Sequence, residues 1–218
     1  MRDVTAIIPA RTDEPFLAEA LASVLCQGER VLEVLVCTDD LAGASAREAG
    51  RHGPRVRAVR SEGGEGHQNL NAGLARAQGT WLAFLDADDV WPEDRLARAF
   101  AAFDAAAELD VCFGHQRAIA AGGTLGEAVQ PAPLLGTALM RRETALRIGP
   151  FQPGIASAMD WLLRAGRMGL RSVTIDHVLL HRRVHADNLS RRRRPELHAA
   201  YLAMARRSLR EQRGERAP

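Results

Sequence analysis

From Val4 to Leu85 the chain alternates short apolar runs with segments of helical periodicity. Val4 to Ile8 is apolar and closed by Pro9, which reads as a buried strand. Asp13 and Pro15 are helix-start signals, and Phe16, Leu17, Ala20, Leu21, Val24 and Leu25 follow at helical spacing. Val31 to Cys37 predicts a second strand and Arg47 to His52 a helix. Arg55 to Val59 predicts a third strand. The loop Ser61 to Gly66 reads as a flexible surface loop leading into a helix from His67 to Gln78, with Gly79 as its C-terminal cap. Thr80 to Leu85 predicts the fourth strand, and Pro92 opens the next helix, with Glu93 and Asp94 in a first turn whose dipole favours acids. Strand and helix in alternation predict a largely parallel α/β sheet with helices on both faces.

The second half is less regular. Short β-like pieces at Val111 to Phe113, Thr137 to Met140 and Ser172 to Ile175 surround a helix from Ala158 to Met168. Gln116 to Pro133 carries no readable motif. From Pro195 the tail places Leu197, Tyr201, Met204 and Leu209 near helical spacing and is otherwise Arg-rich. No internal repeat or linker divides the chain, so residues 1–190 read as one domain with an appended helical tail, 191–218.

Composition narrows the class only modestly. A hydrophobic content of 46% and a charged content of 26% are those of an ordinary globular protein. All 29 basic residues are Arg, and the formal charge is only +2, which gives no footprint for nucleic acid. No apolar run approaches the ~18 residues of a membrane span. The first residues lead directly into a strand, so no signal peptide is expected. Cys26, Cys37 and Cys112 show no ligand spacing and read as buried thiols of a reducing cytoplasm.

Chemistry enters where strands end. Two of the strands finish in acids, Asp39/Asp40 and Asp86/Asp88/Asp89, and ligand sites of open α/β sheets lie outside the carboxyl ends of strands. In extended chain Asp86 and Asp88 point to one side, where they repel unless a cation or donors offset them. A hard divalent ion with substrate phosphates is the natural partner. Taken alone, the tripeptide reads more readily as an acidic turn ahead of the Pro92 helix.

Several stretches in order resemble the family 2 glycosyltransferases over about residues 3–190. They are VTAIIPARTDEPFLAEALASVLCQ, LEVLVCTDD, NAGLARAQGTWLAFLDADDVWPEDRL, MRRETALRIGPFQPG and HRRVHADNLS. The resemblance implies a GT-A-like fold: a Rossmann-type, mostly parallel central sheet flanked by helices, with a smaller mixed subregion on the acceptor side. Residues 1–100 would form the nucleotide-binding half and 101–190 the acceptor half. It implies that Asp39 hydrogen-bonds the nucleotide base, with Pro9, Ala10 and Arg11 as the other wall, and that Asp86 lies near the ribose. Asp88 would bind Mn²⁺ or Mg²⁺ bridging the diphosphate, with Asp89 the second contact. His185 would approach metal or diphosphate from the H-x-x-N stretch His185 to Asn188, and Asn71 would belong to the donor side. Asp160 occupies the place of the general base that deprotonates an acceptor hydroxyl in an inverting transfer.

The chain also departs from the family pattern. Thr38-Asp39 replaces paired acids, Met159 precedes Asp160 in place of Glu, and Asn69-Leu-Asn71 replaces Ala-Arg-Asn. The implied donor is a nucleoside-diphosphate sugar, UDP by default, and the acceptor is open: glycan, lipid-linked intermediate, peptide or small metabolite. Two rivals remain on the residues. Ala6 to Arg11 also resembles the start of sugar-nucleotide cytidylyltransferases, but Thr12-Asp-Glu-Pro15 and the lack of any Lys suit a triphosphate poorly. A degenerate, non-catalytic partner module is the other. Arg191 to Arg194 is open to three readings: a solvated connector, a peripheral contact with anionic lipid, or a clamp on the diphosphate.

Overall fold

The computed structural model describes residues 2–212. Its centre is an eight-stranded sheet. β1 (Val4–Pro9) lies between β2 (Val31–Thr38) and β4 (Trp81–Phe84), parallel to both, and β3 (Val56–Arg60) extends the parallel part beyond β2. On the other side β7 (Leu139–Arg141) pairs antiparallel with β4 and hands the sheet on to β5 (Val111–Ala120). β5 pairs antiparallel with β6 (Leu125–Ala132) and in parallel with β8 (Ser172–Val184). The mostly parallel sheet and a mixed flank match the fold expected from the sequence.

The unbroken apolar runs follow from burial on both faces. Alternate residues of β1 enter opposite cores. Ala6 and Ile8 pack with α1 (Leu17–Leu25) and α4 (Arg95–Ala105), and Ile7 packs with α3 (Gly66–Arg76), α5 (Arg142–Ile148) and α6 (Ser157–Arg167). Each of the two isoleucines, fully buried, contributes about 2 kcal/mol. α3 lies so close to β1 that a Cβ on Gly73 would sit 2.5 Å from Ile7 Cγ2. A helix α2 (Ala44–Ala49), followed by a 3₁₀ turn to His52, stands where the sequence predicted a helix over Arg47 to His52.

Other differences have tertiary causes. α3 ends at Arg76 with Ala77 as its cap, so Gly79 does not cap it. Gly79 is needed because a Cβ there would lie 2.6 Å from the Thr5 amide nitrogen, where the chain enters β4 beside β1. α4 starts at Arg95 rather than Pro92, because Gln27 occupies the gap. Its amide donates to Pro92 O at 2.9 Å and its oxygen accepts from the Leu96 amide at 3.0 Å.

Ser61 to Gly66 is not a free surface loop. Ser61 Oγ lies 2.6 Å from Asn69 Oδ1, and Glu65 and Gln68 form a reciprocal capping box for α3. The stretch Gln116 to Pro133 is the β5–β6 hairpin, and the short pieces at Val111 and Ser172 are the beginnings of ten- and thirteen-residue strands. Gly114 lets β5 and β8 meet, since a Cβ there would be 2.4 Å from Leu179 Cγ. The tail forms α7 (Leu189–Arg192) and α8 (Arg194–Gln212). No helix among the described residues is long and apolar enough to cross a membrane.

Candidate active site

Because β2, β1 and β4 are parallel neighbours, their carboxyl ends emerge together. Asp39 therefore leaves the sheet on one side of the segment Pro9 to Arg11, and Asp86 on the other. Beyond β4 the chain turns, with the Asp89 amide bonded to Asp86 O at 3.0 Å. This turn, and not extended alternation, gathers the acids. One carboxylate oxygen each from Asp86, Asp88 and Asp89 lies within 4.8 Å of the others.

Asp89 is buried and Asp88 half-buried, whereas the Asp86 side chain is exposed. Desolvation first, and then the charge of Asp88, push the Asp86 carboxyl up to about 6, with Arg182 opposing. Solvent still reaches Asp86, so water screens part of this effect. Asp89 is pushed well above the usual carboxylate range by burial, then by Asp86 and Asp88, while its bond from the Arg183 amide opposes. Three hard oxygens whose negative charge the protein only partly offsets fit a divalent cation of the Mg²⁺ or Mn²⁺ type.

Asp88 is held from the far end of the chain. His185 Nε2 and Asn188 Nδ2 both meet Asp88 Oδ2, at 2.9 and 3.0 Å. Asn188 Oδ1 accepts from the His185 amide at 2.7 Å, which folds the H-x-x-N stretch into one clamp. The ring of Phe16, just ahead of α1, backs the histidine at 5.1 Å.

Opposite this clamp, Ala10 is buried and its carbonyl accepts from Asn69 Nδ2 at 3.2 Å. Arg11 is exposed, with its guanidinium tied to Glu14 at 3.0 Å. Gly64 approaches Asp39 so closely that a Cβ there would lie 2.8 Å from Asp39 Oδ2. Thr12 Oγ1 is 3.4 Å from Asp39 Oδ1. Asn71 makes both its amide bonds to the Phe151 backbone, at 2.9 and 2.8 Å. It thus anchors the segment leading to α6.

Asp160 sits in the first turn of α6. Its neighbour Trp161 stacks on Phe151 at 4.7 Å and meets Phe84, the last residue of β4, edge-on at 6.2 Å. The Asp160 carboxylate receives Arg164 Nε at 3.1 Å and, from α8, Arg207 Nη2 at 2.5 Å. Sequence reasoning gave no role to Arg207, Arg183, Glu19, Phe16 or Asn69. Arg183 had a faint signal, an arginine two positions before His185. The others had none, because only packing between distant segments brings them to the site.

The family described as Glycosyl transferase family 2 matches residues 5–160. The succinoglycan biosynthesis protein ExoO of Rhizobium meliloti (strain 1021) is 38% identical over 106 residues, which is 48% of this chain and 30% of that protein. The UDP-Glc:alpha-D-GlcNAc-diphosphoundecaprenol beta-1,3-glucosyltransferase WfgD of Escherichia coli is 30% identical over 95 residues, 43% of this chain and 38% of that one. The aligned regions thus span only 30% and 38% of these relatives. Among solved structures, S. aureus TarS 1-349 in complex with UDP-GlcNAc superposes with a TM-score of 0.66 at 20% identity, covering 86% of this chain and 60% of that one. The mannosyltransferase PcManGT from Pyrobaculum calidifontis, in complex with GDP-Man and Mn²⁺, gives 0.64 at 23% identity, covering 87% and 59%. These two likenesses establish the shared fold.

Proposed function

The chain belongs to the family 2 glycosyltransferases, and on that premise we propose that it transfers a sugar from a nucleoside-diphosphate donor to an acceptor hydroxyl. One observation carries the reading: the Asp86–Asp89 carboxylates converge beside Pro9 to Arg11, and His185 and Asn188 hold the middle one. Asp39 hydrogen-bonds the base, with Pro9, Ala10 and Arg11 as the opposing wall. Asp86 meets the ribose. Asp88 and Asp89 bind the divalent cation, and His185 meets the same cation or the diphosphate while orienting Asp88. Asn71, expected on the donor side, instead holds Phe151 ahead of α6, the helix that carries Asp160. When bound, the metal offsets the charge that grows on the departing diphosphate without any proton transfer.

Asp160 takes the proton of the acceptor hydroxyl, and inversion follows if it stands across the anomeric carbon from the leaving group. For that step Arg207 must release the carboxylate. UDP is the proposed nucleotide, supported by the UDP-named relative and neighbour. Residues 1–190 would be the transferase unit, and 191–218 an appended tail whose exposed Arg191 to Arg194 suit an anionic surface. Cys37 and Cys112 are buried as expected, whereas Cys26, at the end of α1, is exposed; three free cysteines suit a reducing cytoplasm.

The test is Mn²⁺-dependent hydrolysis of UDP-, GDP- and dTDP-sugars without acceptor, together with nucleotide binding by calorimetry. Turnover or metal-dependent binding with one nucleotide is expected. Neither activity nor metal-dependent binding with any of them would reject the enzyme reading. In Asp160→Asn donor binding stays and transfer disappears; transfer at the wild-type rate would remove Asp160 from the role of base.

A further inference from the structure

We propose that Arg183 is the positioning residue of the cation site, a buried guanidinium that fixes the acidic turn and ties it to α1. The proposal rests on the donor-site reading above. Arg183 is 1% exposed, among the largest fully buried side chains of the described protein. Its backbone amide donates to Asp89 Oδ1 at 2.8 Å, and its Nε donates to the carbonyl of Asp88 at 2.9 Å. Nη1 reaches the carbonyl of Ala121 at 3.1 Å, at the end of β5, and Nη2 reaches Glu19 Oε2 on α1 at 2.5 Å. The guanidinium also lies over the Phe16 ring at 4.6 Å, the ring whose neighbour is His185.

A single residue therefore holds one acid of the trio by its carboxylate and the next by its main chain. Through Phe16 it also supports the histidine that orients Asp88. None of these contacts would use up the carboxylate oxygens of Asp88. That is the geometry of an outer partner, which sets where the ligands stand without binding the ion.

Stability alone does not explain a charge in this place. A buried ion pair is commonly no better than apolar packing of similar volume, and Glu19, the side-chain acid that Arg183 bonds, is itself half exposed. What an apolar residue cannot do is reach three acceptors in different directions at once. The planar fork of arginine does so from three separate nitrogens, whereas the three donors of a lysine ammonium leave one nitrogen and cannot span acceptors set this far apart.

The experiment titrates the whole chain with Mn²⁺ alone, following free Mn²⁺ by electron paramagnetic resonance. It is then repeated with UDP, on the wild type, Arg183→Lys, Glu19→Gln and Asp88→Asn. Outer-partner substitutions typically lower metal affinity about 10–100-fold, so Arg183→Lys is expected to lose at least about tenfold. Its metal-free UDP affinity stays at the wild-type value, which a general loosening of the fold would not leave untouched. Glu19→Gln, on a half-exposed side chain, shows a smaller loss in the same direction.

Folded Arg183→Lys with wild-type Mn²⁺ affinity would overturn the proposal. If that variant does not fold, unchanged affinity in Glu19→Gln does so instead. Loss in Asp88→Asn without loss in Arg183→Lys would leave the donor site standing and remove only the positioning role. A wild type that takes up no Mn²⁺, with or without UDP, would overturn both.

Discussion

Replacing Asp88 by Asn tests the electrostatics of the trio most directly. The amide keeps the size of the side chain and leaves an oxygen for His185 and Asn188, which meet Asp88 Oδ2 at 2.9 and 3.0 Å. Only the charge is lost. At a separation of 4.8 Å and an effective dielectric of about 20, two unit charges repel by about 3.5 kcal/mol. Water at the exposed Asp86 and the opposing charge of Arg182 reduce this to on the order of 1 kcal/mol. For a chain of this length that corresponds to a rise of roughly 2–4 °C in the metal-free Tm. The cation site pays the opposite way. An ion at 100 times its Kd stabilises the wild type by about 2.7 kcal/mol, and that increment should vanish in the variant. Thermal unfolding at pH 8, with EDTA and with Mn²⁺, measures both effects. A variant less stable without metal, or one that keeps the full Mn²⁺ increment, would refute the account of the turn as a site built for a cation.

Three further outcomes follow from the same structure. Asp86, raised to about 6 when folded, holds its proton to higher pH than the unfolded chain does, so stability falls as pH rises from about 4 through 6; in Asp86→Asn that component of the metal-free Tm profile should be absent, and an unchanged profile would deny the shift. Gly79→Ala places a Cβ 2.6 Å from the Thr5 nitrogen and should destabilise the fold by about 1–3 kcal/mol in urea unfolding, whereas Gly166→Ala, in open space on α6, should not. Burial pushes the Cys37 thiol up to about 12 and Cys112 up to about 11, while Cys26 is exposed, so a thiol reagent at pH 8 should label one cysteine in the native protein and three in denaturant.

The first hundred residues were legible because their signals are local. β1, β2 and β4 are buried on both faces, so they leave runs such as Val34 to Cys37 that no other element explains. The acids follow these runs directly, and the parallel order of the strands places them at one edge without further information. The second half was not legible for the opposite reason. β5 runs through His115, Gln116 and Arg117, and β6 is exposed along nearly all its length, so neither carries an apolar pattern. They are strands because β8 and each other supply their hydrogen bonds. Helix boundaries failed where a remote side chain intervened, as Gln27 does at the start of α4.

The sequence by itself determined the parallel α/β core, the positions of the strand-end acids, and the residues worth testing at Asp39, Asp86, Asp88, Asp160 and His185. Periodicity and the offset of an acid from its strand are properties of neighbouring residues, and they survive without the fold; Asp160 and His185 came only from the resemblance to the family. Only the tertiary structure decided that a turn, not an extended strand, gathers the trio, that Asn71 bonds Phe151, and that Arg207 covers Asp160. Arg183 and Glu19 stand 164 positions apart, and Arg183 and Asp88 stand 95 apart. Bonds over such separations leave no pattern along the chain, because what selects their partners is the shared burial that packing creates.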